Sequence, residues 1–175
     1  MLLLTFQNTL LTITPLLSKK YGNTLMIEIR KITATETYPI RHQILRKNEP
    51  IEKCIYPNDD AETTFHLGLF ENHVMVGIIS VFETRNELFE DSKQFQIRGM
   101  AVLESHRKNN YGAALVKKAI DLLGNEEDFL IWFNARQIAI GFYEKLTFEK
   151  IGPIFEIIPI GLHYVMFKRF KKTKL

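Results

Sequence analysis

Cysteine is nearly absent from this 175-residue chain, in which Cys54 stands alone. A single thiol excludes an internal disulfide framework and a multi-thiolate metal site. Without an oxidising signature, the reducing cytoplasm is the default compartment. No base adjoins Cys54 in sequence, so it reads as a loop or half-buried side chain and not as a nucleophile. Charge of one sign is equally scarce. The net charge of +3 is too small to mark a nucleic-acid partner, and no basic stripe with interleaved aromatics supplies one. Long apolar runs are missing as well. Met1 to Ser18 is rich in Leu and Thr, but Gln7 and Asn8 interrupt it, Pro15 breaks it, and no basic residue precedes it. It fits neither a secretory signal nor a membrane span. A second methionine, Met26, stands where the first clear strand pattern begins. Residues 1–25 therefore read as an appendage, an upstream start that the domain beyond does not need.

With 46% apolar and 25% charged residues, the rest has the composition and length of one globular domain with a full core. Met26 to Ile32 alternates apolar and charged residues, the period of a half-buried strand. Thr33 or Thr35 can cap a helix starting near Glu36, with Pro39 in its first turn and Ile40, Ile44 and Leu45 on one face. Lys47 to Thr63 loses periodicity and reads as a long loop. Phe65 to Phe70 and Val74 to Phe82 read as hairpin strands. A polar stretch leads to a strand at Phe95 to Leu103, and a helix opened at Gly112 ends at Gly124. Phe129 to Phe133 is continuously apolar, as in a strand covered on both faces. A helix from Arg136 to Leu146 follows. Phe148 to Ile151 and Tyr164 to Phe170 read as closing strands, with Pro153, Pro159 and Gly161 between them. The basic residues from Lys168 to Lys174 read as a frayed end.

The richest segment is Gln96 to Leu123. An apolar strand runs through the basic, polar turn Arg107 to Asn110 into a helix, which is what anion binding requires. The first helical N–H groups lack intrahelical partners and the helix dipole is positive there. Gly112, without a side chain, lets a pyrophosphate approach the backbone. One glycine is weak evidence, however, and the residues alone leave a plain chain turn equally open.

The run Arg107-Lys108-Asn109-Asn110-Tyr111-Gly112 resembles the Q/R-x-x-G-x-G/A acyl-CoA loop of the GNAT superfamily of N-acetyltransferases. Asn110 takes the place of its first glycine, and asparagine tolerates the left-handed backbone that such a loop uses. Arg98-Gly99-Met100-Ala101-Val102 resembles the strand before that loop. Asn134 to Phe148 is similar to the superfamily's later N-x-x-A-x-x-F/L-Y-x-x-x-G-F helix, with Arg136 in the usual Asn place and Thr147 in the usual Gly place. The resemblance extends in outline from Met26 to Phe170. It implies a single α/β domain over residues 26–170, with a mixed, mostly antiparallel central sheet flanked by helices, and a basic tail at 171–175.

The same resemblance implies an N-acetyltransferase that moves an acetyl group from acetyl-CoA to a primary amine of a small molecule or peptide, by direct attack in a ternary complex. Backbone groups of Met100, Ala101 and Val102 would pair with the pantetheine arm, and the Met100 N–H would hold the oxyanion. N–H groups from Lys108 through Asn109, Asn110, Tyr111 and Gly112 to Ala113 would seat the pyrophosphate, with Arg107 and Lys108 supplying charge. Tyr143 would be the general acid to the sulfur, and Asn134 would order the acyl-CoA arm. The base is open. Gln96 holds the position where relatives carry a carboxylate, leaving Glu83, Glu104 and His163. The loop residues Glu49, Glu52, Asp59, Asp60 and Glu62 would face the acceptor side and suit a cationic amine. No metal, nucleic acid or membrane is implied, and a homodimer is left open. A non-catalytic acyl-CoA-binding module on the same fold is the alternative, favoured by Asn110, Gln96 and Thr147 and opposed by Tyr143.

Overall fold

The computed structural model describes residues 18–20, 23–124 and 127–172. Most of the expected N-terminal appendage, residues 1–17 and 21–22, lies outside the described residues. The remainder pairs as a small two-stranded sheet, β1 (Ser18–Lys20) with β2 (Asn23–Leu25), separate from the main one.

The main sheet has seven strands: β3 (Ile27–Ile32), β4 (Phe65–Glu71), β5 (Val74–Glu83), β6 (Gln94–Val102), β7 (Phe129–Arg136), β8 (Glu149–Ile157) and β9 (Gly161–Phe170). Their spatial order is β3-β4-β5-β6-β7-β9-β8. Every neighbouring pair is antiparallel except β6 with β7. A parallel pair needs a crossover, which the helix α2 (Tyr111–Leu123) provides. This is the expected single α/β domain with a mixed, mostly antiparallel sheet.

Helix α1 (Ala34–Ile40) starts where its chemistry dictates. Thr33 Oγ1 accepts the Glu36 N–H, and the Glu36 carboxylate accepts the Thr33 N–H at 2.7 Å, a complete capping box. The helix continues as a π turn, Arg41–Leu45, closed by the Arg46 N–H on the Arg41 carbonyl at 2.9 Å. One face of α2 buries Leu115, Val116 and Ala119 against Val76, Ile79, Val81, Phe95 and Ile131 of the sheet. Fully burying a leucine such as Leu115 contributes about 1.5–3 kcal/mol. Ile40 of α1 packs on Ile78 and Ala101 in a separate cluster.

Three expectations need correction. The residues from Asn134 to Arg136 continue β7, paired with Val165 to His163 of β9, so the later helix α3 is confined to Ile140–Lys145 behind a 3₁₀ turn. Strand β8 runs through Pro153, because the ladder is interrupted between Ile151 and Phe155 and β8 is an edge strand, where a missing N–H is tolerated. Lys168 is not part of a frayed end. It lies in β9 and donates to the Thr147 hydroxyl at 2.7 Å. Among the described residues, no helix is long and apolar enough to cross a membrane, and no cluster of three or more His, Cys, Asp or Glu side chains could hold a metal.

Candidate active site

The site is built on an interruption in the sheet. β6 pairs with β7 only from Gln94–Gln96 to Leu130–Trp132, and beyond that point the two parallel strands part. On its other side, β6 carries a bulge. Ile78 pairs with Ala101 and Ser80 with Arg98, leaving Gly99 and Met100 opposite Ile79. Gly99 has φ +62°, and a Cβ there would come within 3.1 Å of both Arg41 Nε and the Tyr56 ring. Only glycine fits. The backbone around Met100 is thus released from both neighbouring ladders and borders a cavity of about 660 Å³.

Loop and helix α2 close one end of that cavity. Arg107, Lys108, Asn110, Tyr111 and Gly112 all line it. Asn110 takes the left-handed conformation expected of it (φ +60°), and Lys108 does the same (φ +69°). The first helical hydrogen bond runs from the Ala114 N–H to the Asn110 carbonyl, so the N–H groups before it have no intrahelical acceptor. Asn109 is exposed and, like Ala113, lies off the cavity wall. The Tyr111 side chain turns to the core, where its hydroxyl donates to Glu71 at 2.6 Å; burial and that carboxylate push the phenol up to about 12. Gly112 has a reason for lacking a side chain beyond the one its sequence suggests. A Cβ would meet Met100 Cε at 2.9 Å and Phe142 Cζ at 3.1 Å.

Tyr143 of α3 reaches the gap between the parted strands. Its ring packs on Phe133 (centroids 4.3 Å apart) and Phe142 (4.8 Å), while its hydroxyl donates to Met100 Sδ at 3.3 Å. Burial pushes this phenol far above its ordinary value, so it keeps its proton throughout the neutral range. Asn134, exposed on β7, lines the same gap, as do Ala101 and Val102. Of the three base candidates, only His163 lies on the cavity wall. Its Nδ1 donates to the Gly161 carbonyl at 2.7 Å, leaving Nε2 as the acceptor nitrogen. Glu83 is held by Lys93 at 3.0 Å, and Glu104 is exposed beside Arg107.

None of the five loop carboxylates lines the cavity. Asp59 is buried, clamped by both terminal nitrogens of Arg41 at 2.6 and 2.9 Å and by the Tyr56 N–H at 2.8 Å. The network continues from Arg41 to Ser80 Oγ (2.8 Å), from Ser80 to His66 Nδ1 (2.8 Å), and from His66 Nε2 to the Asp59 carbonyl (2.9 Å). With His66 neutral, Ser80, both ring nitrogens and the two terminal nitrogens of Arg41 are satisfied, whereas the buried Arg41 Nε has no hydrogen-bond partner among the described residues. Burial holds the His66 pKa below the ordinary 6.5. Below pH 6.5 the unfolded chain takes up a proton that the folded one refuses, so stability is full above that pH and falls by about 1.4 kcal/mol per pH unit below it, until the folded value is passed. Melting temperature measured from pH 7.5 down to pH 5 should fall more steeply for the wild type than for His66→Gln. Parallel curves would contradict this.

The cavity is lined instead by Arg46, Arg98, Arg136 and Tyr56, together with Ile44 and Leu45. None of these residues was expected in the site, Ile44 and Leu45 being read only as part of one face of the first helix. A charged Arg98 inside an apolar strand and Arg136 in a motif place usually held by Asn were the available signals, whereas Tyr56 in its loop gave none.

Comparison with known proteins agrees with this geometry. The Acetyltransferase (GNAT) family model matches residues 24–148. An uncharacterized N-acetyltransferase of Bacillus subtilis, YitI, is 37% identical over 149 residues, which are 85% of this chain and all of YitI. Arabidopsis thaliana NAA60, solved with a bisubstrate analogue, shares the fold with TM-score 0.64 at 14% identity, over 85% of this chain and 100% of that one. Its acetyl-CoA complex gives TM-score 0.62 at 13% identity, over 82% and 98%. The parted strands, the loop before α2 and the match across most of the domain have one origin: this chain belongs to the GNAT family of acetyltransferases.

Proposed function

We propose that the chain transfers an acetyl group from acetyl-CoA to a primary amine by direct attack in a ternary complex. The observation that carries this reading is the parting of β6 from β7 over Met100, with the Tyr143 hydroxyl in the opening. The β6 backbone from Met100 to Val102 is left unpaired on the β7 side, where it would offer hydrogen bonds to the amide-bearing pantetheine arm, with Asn134 facing it from β7. The N–H groups at the start of α2 and the Arg107 and Lys108 charges suit the pyrophosphate. An acetyl-CoA complex of NAA60 on the same fold supports the choice of donor.

In the reaction, the neutral amine forms a C–N bond to the thioester carbonyl carbon, and the oxyanion rests on the Met100 N–H. The C–S bond then breaks, and the thiolate takes the Tyr143 proton. Desolvation raises the phenol pKa, but it also raises the basicity of a thiolate formed beside it, so the transfer stays matched. His163, on the cavity wall, is our candidate to receive the proton shed by the amine. Asn110 adopts the backbone that a glycine would, which removes one ground for the non-catalytic alternative. Thiol release from acetyl-CoA across a panel of amines tests the reading, and release with no amine of any class would overturn it.

Gly112→Val offers a second check. Its added methyls would drive Met100 and Phe142 into the cleft, an overpacking cost of about 1–3 kcal/mol. Acetyl-CoA affinity should fall by at least about tenfold (about 1.4 kcal/mol) in a variant that still melts cooperatively. Unchanged affinity by calorimetry would contradict a cofactor path past α2.

A further inference from the structure

Three guanidinium groups converge on the acceptor end of the cleft from distant parts of the chain. Arg46 follows the π turn, Arg98 precedes the β6 bulge, and Arg136 ends β7. All three line the cavity and are half-buried. Arg98 rests on the buried Tyr56 ring, 4.5 Å from its centroid, and Arg46 lies 5.9 Å from the same ring. Arg136 donates one N–H to the Leu45 carbonyl at 3.1 Å, which fixes it beside Arg46. Among the described residues, neither Arg98 nor Arg136 has a carboxylate at ion-pair distance, and Arg46 reaches only Glu49, at 3.9 Å.

Such an arrangement is costly by itself. Half-buried cations lose hydration, and like charges held together repel. The effect registers on the groups themselves: burial, and then the Arg46 charge, depress Arg136, while burial, with Arg41 and Arg46, depresses Arg98. A fold that keeps three such groups on one wall of its cleft, held by an aromatic ring and a backbone carbonyl with one distant carboxylate, Glu49, among them, leaves forked donors for an anion. The pyrophosphate of the donor is not that anion. It belongs at the start of α2, and Arg98 lies on the other side of Met100, where the strand rises ~3.3 Å per residue away from that loop.

We infer that the acceptor amine carries its own anionic group, a carboxylate or a phosphate, which Arg46, Arg98 and Arg136 hold while the nitrogen faces Met100. This rests on the acetyltransferase reading and names its substrate class. It replaces the cationic amine that the loop carboxylates suggest, since those do not reach the cleft. Arg98 and Arg136 are substrate-binding residues in this account, with KM as their readout.

The test is a thermal-shift titration of the full chain, with and without saturating CoA. The probes are inorganic phosphate, 2-aminoethyl phosphate against 2-aminoethanol, and α-amino acids against their carboxamides. The phosphate and carboxylate arms identify which anion is preferred. Anionic members should raise the melting temperature and neutral counterparts should not. Arg98→Gln and Arg136→Gln should each weaken the anion effect at least tenfold while keeping the CoA-dependent shift. Neutral and anionic members acting alike, no anion-dependent shift at millimolar probe, or a shift that survives both substitutions would each overturn the inference. Loss of the CoA shift in the wild type would instead count against the acetyltransferase reading, because the anion arms are also run without CoA.

Discussion

Tyr143→Phe should lower turnover on the order of 10²–10⁴-fold, the usual contribution of a positioned proton transfer, while acetyl-CoA affinity stays close to that of the wild type. The hydroxyl donates to Met100 Sδ at 3.3 Å, and no other acceptor takes it among the described residues. A thioether is a weak acceptor, so exchanging it for a thioester sulfur loses little in the ground state. The benefit appears only when that sulfur gains charge in the transition state, which is the condition under which a contact raises turnover and not merely affinity. Phenylalanine preserves the packing on Phe133, Phe142 and Phe148. Rate and binding measured on the two proteins with one amine decide the matter. Equal turnover would remove Tyr143 as the acid, and a matched loss of rate and affinity would mark it as a binding contact.

Asp59→Ala should destabilise the fold by about 3–5 kcal/mol, the range for removing one partner of a buried ion pair. Arg41 is fully buried and its pairing with Asp59 is bidentate. After the substitution, its charge would keep only the Cys54 carbonyl and Ser80 Oγ, and the Tyr56 N–H would lose its acceptor. At this chain length the melting temperature should drop by roughly 10 °C. Because a buried pair is often replaceable by apolar groups, Asp59→Ala combined with Arg41→Met should recover part of the loss. The cleft would feel the change too, since Arg41 packs under Gly99 and the Tyr56 ring. A loss below about 1 kcal/mol in urea unfolding would show that the pair is dispensable.

Much of the fold was legible because each segment carries its own period. The alternation of Ile27 and Ile29, the helical spacing of Leu115, Val116 and Ala119, and the apolar run from Phe129 to Phe133 are local signals that tertiary packing reinforces. Where the reading failed, pairing between distant segments decided the outcome. Asn134 to Arg136 extend as a strand because β9 offers them partners, and Pro153 sits within a strand because it falls at an irregularity on the sheet edge. The loop before α2 was readable as a contiguous motif with a chemical reason. The arginine-lined wall was not, since Arg46, Arg98 and Arg136 meet only in space. Asp59 read as a free loop carboxylate because nothing local reveals that Arg41, on the preceding helix, takes it into the core.

The central claim is that the cleft between β6 and β7 receives acetyl-CoA. Calorimetric titration of the intact chain with acetyl-CoA tests this most directly. The account predicts saturable binding at one site per chain, weakened in Gly112→Val and retained in Tyr143→Phe. No heat, and no stabilisation against thermal unfolding, at millimolar acetyl-CoA would contradict it.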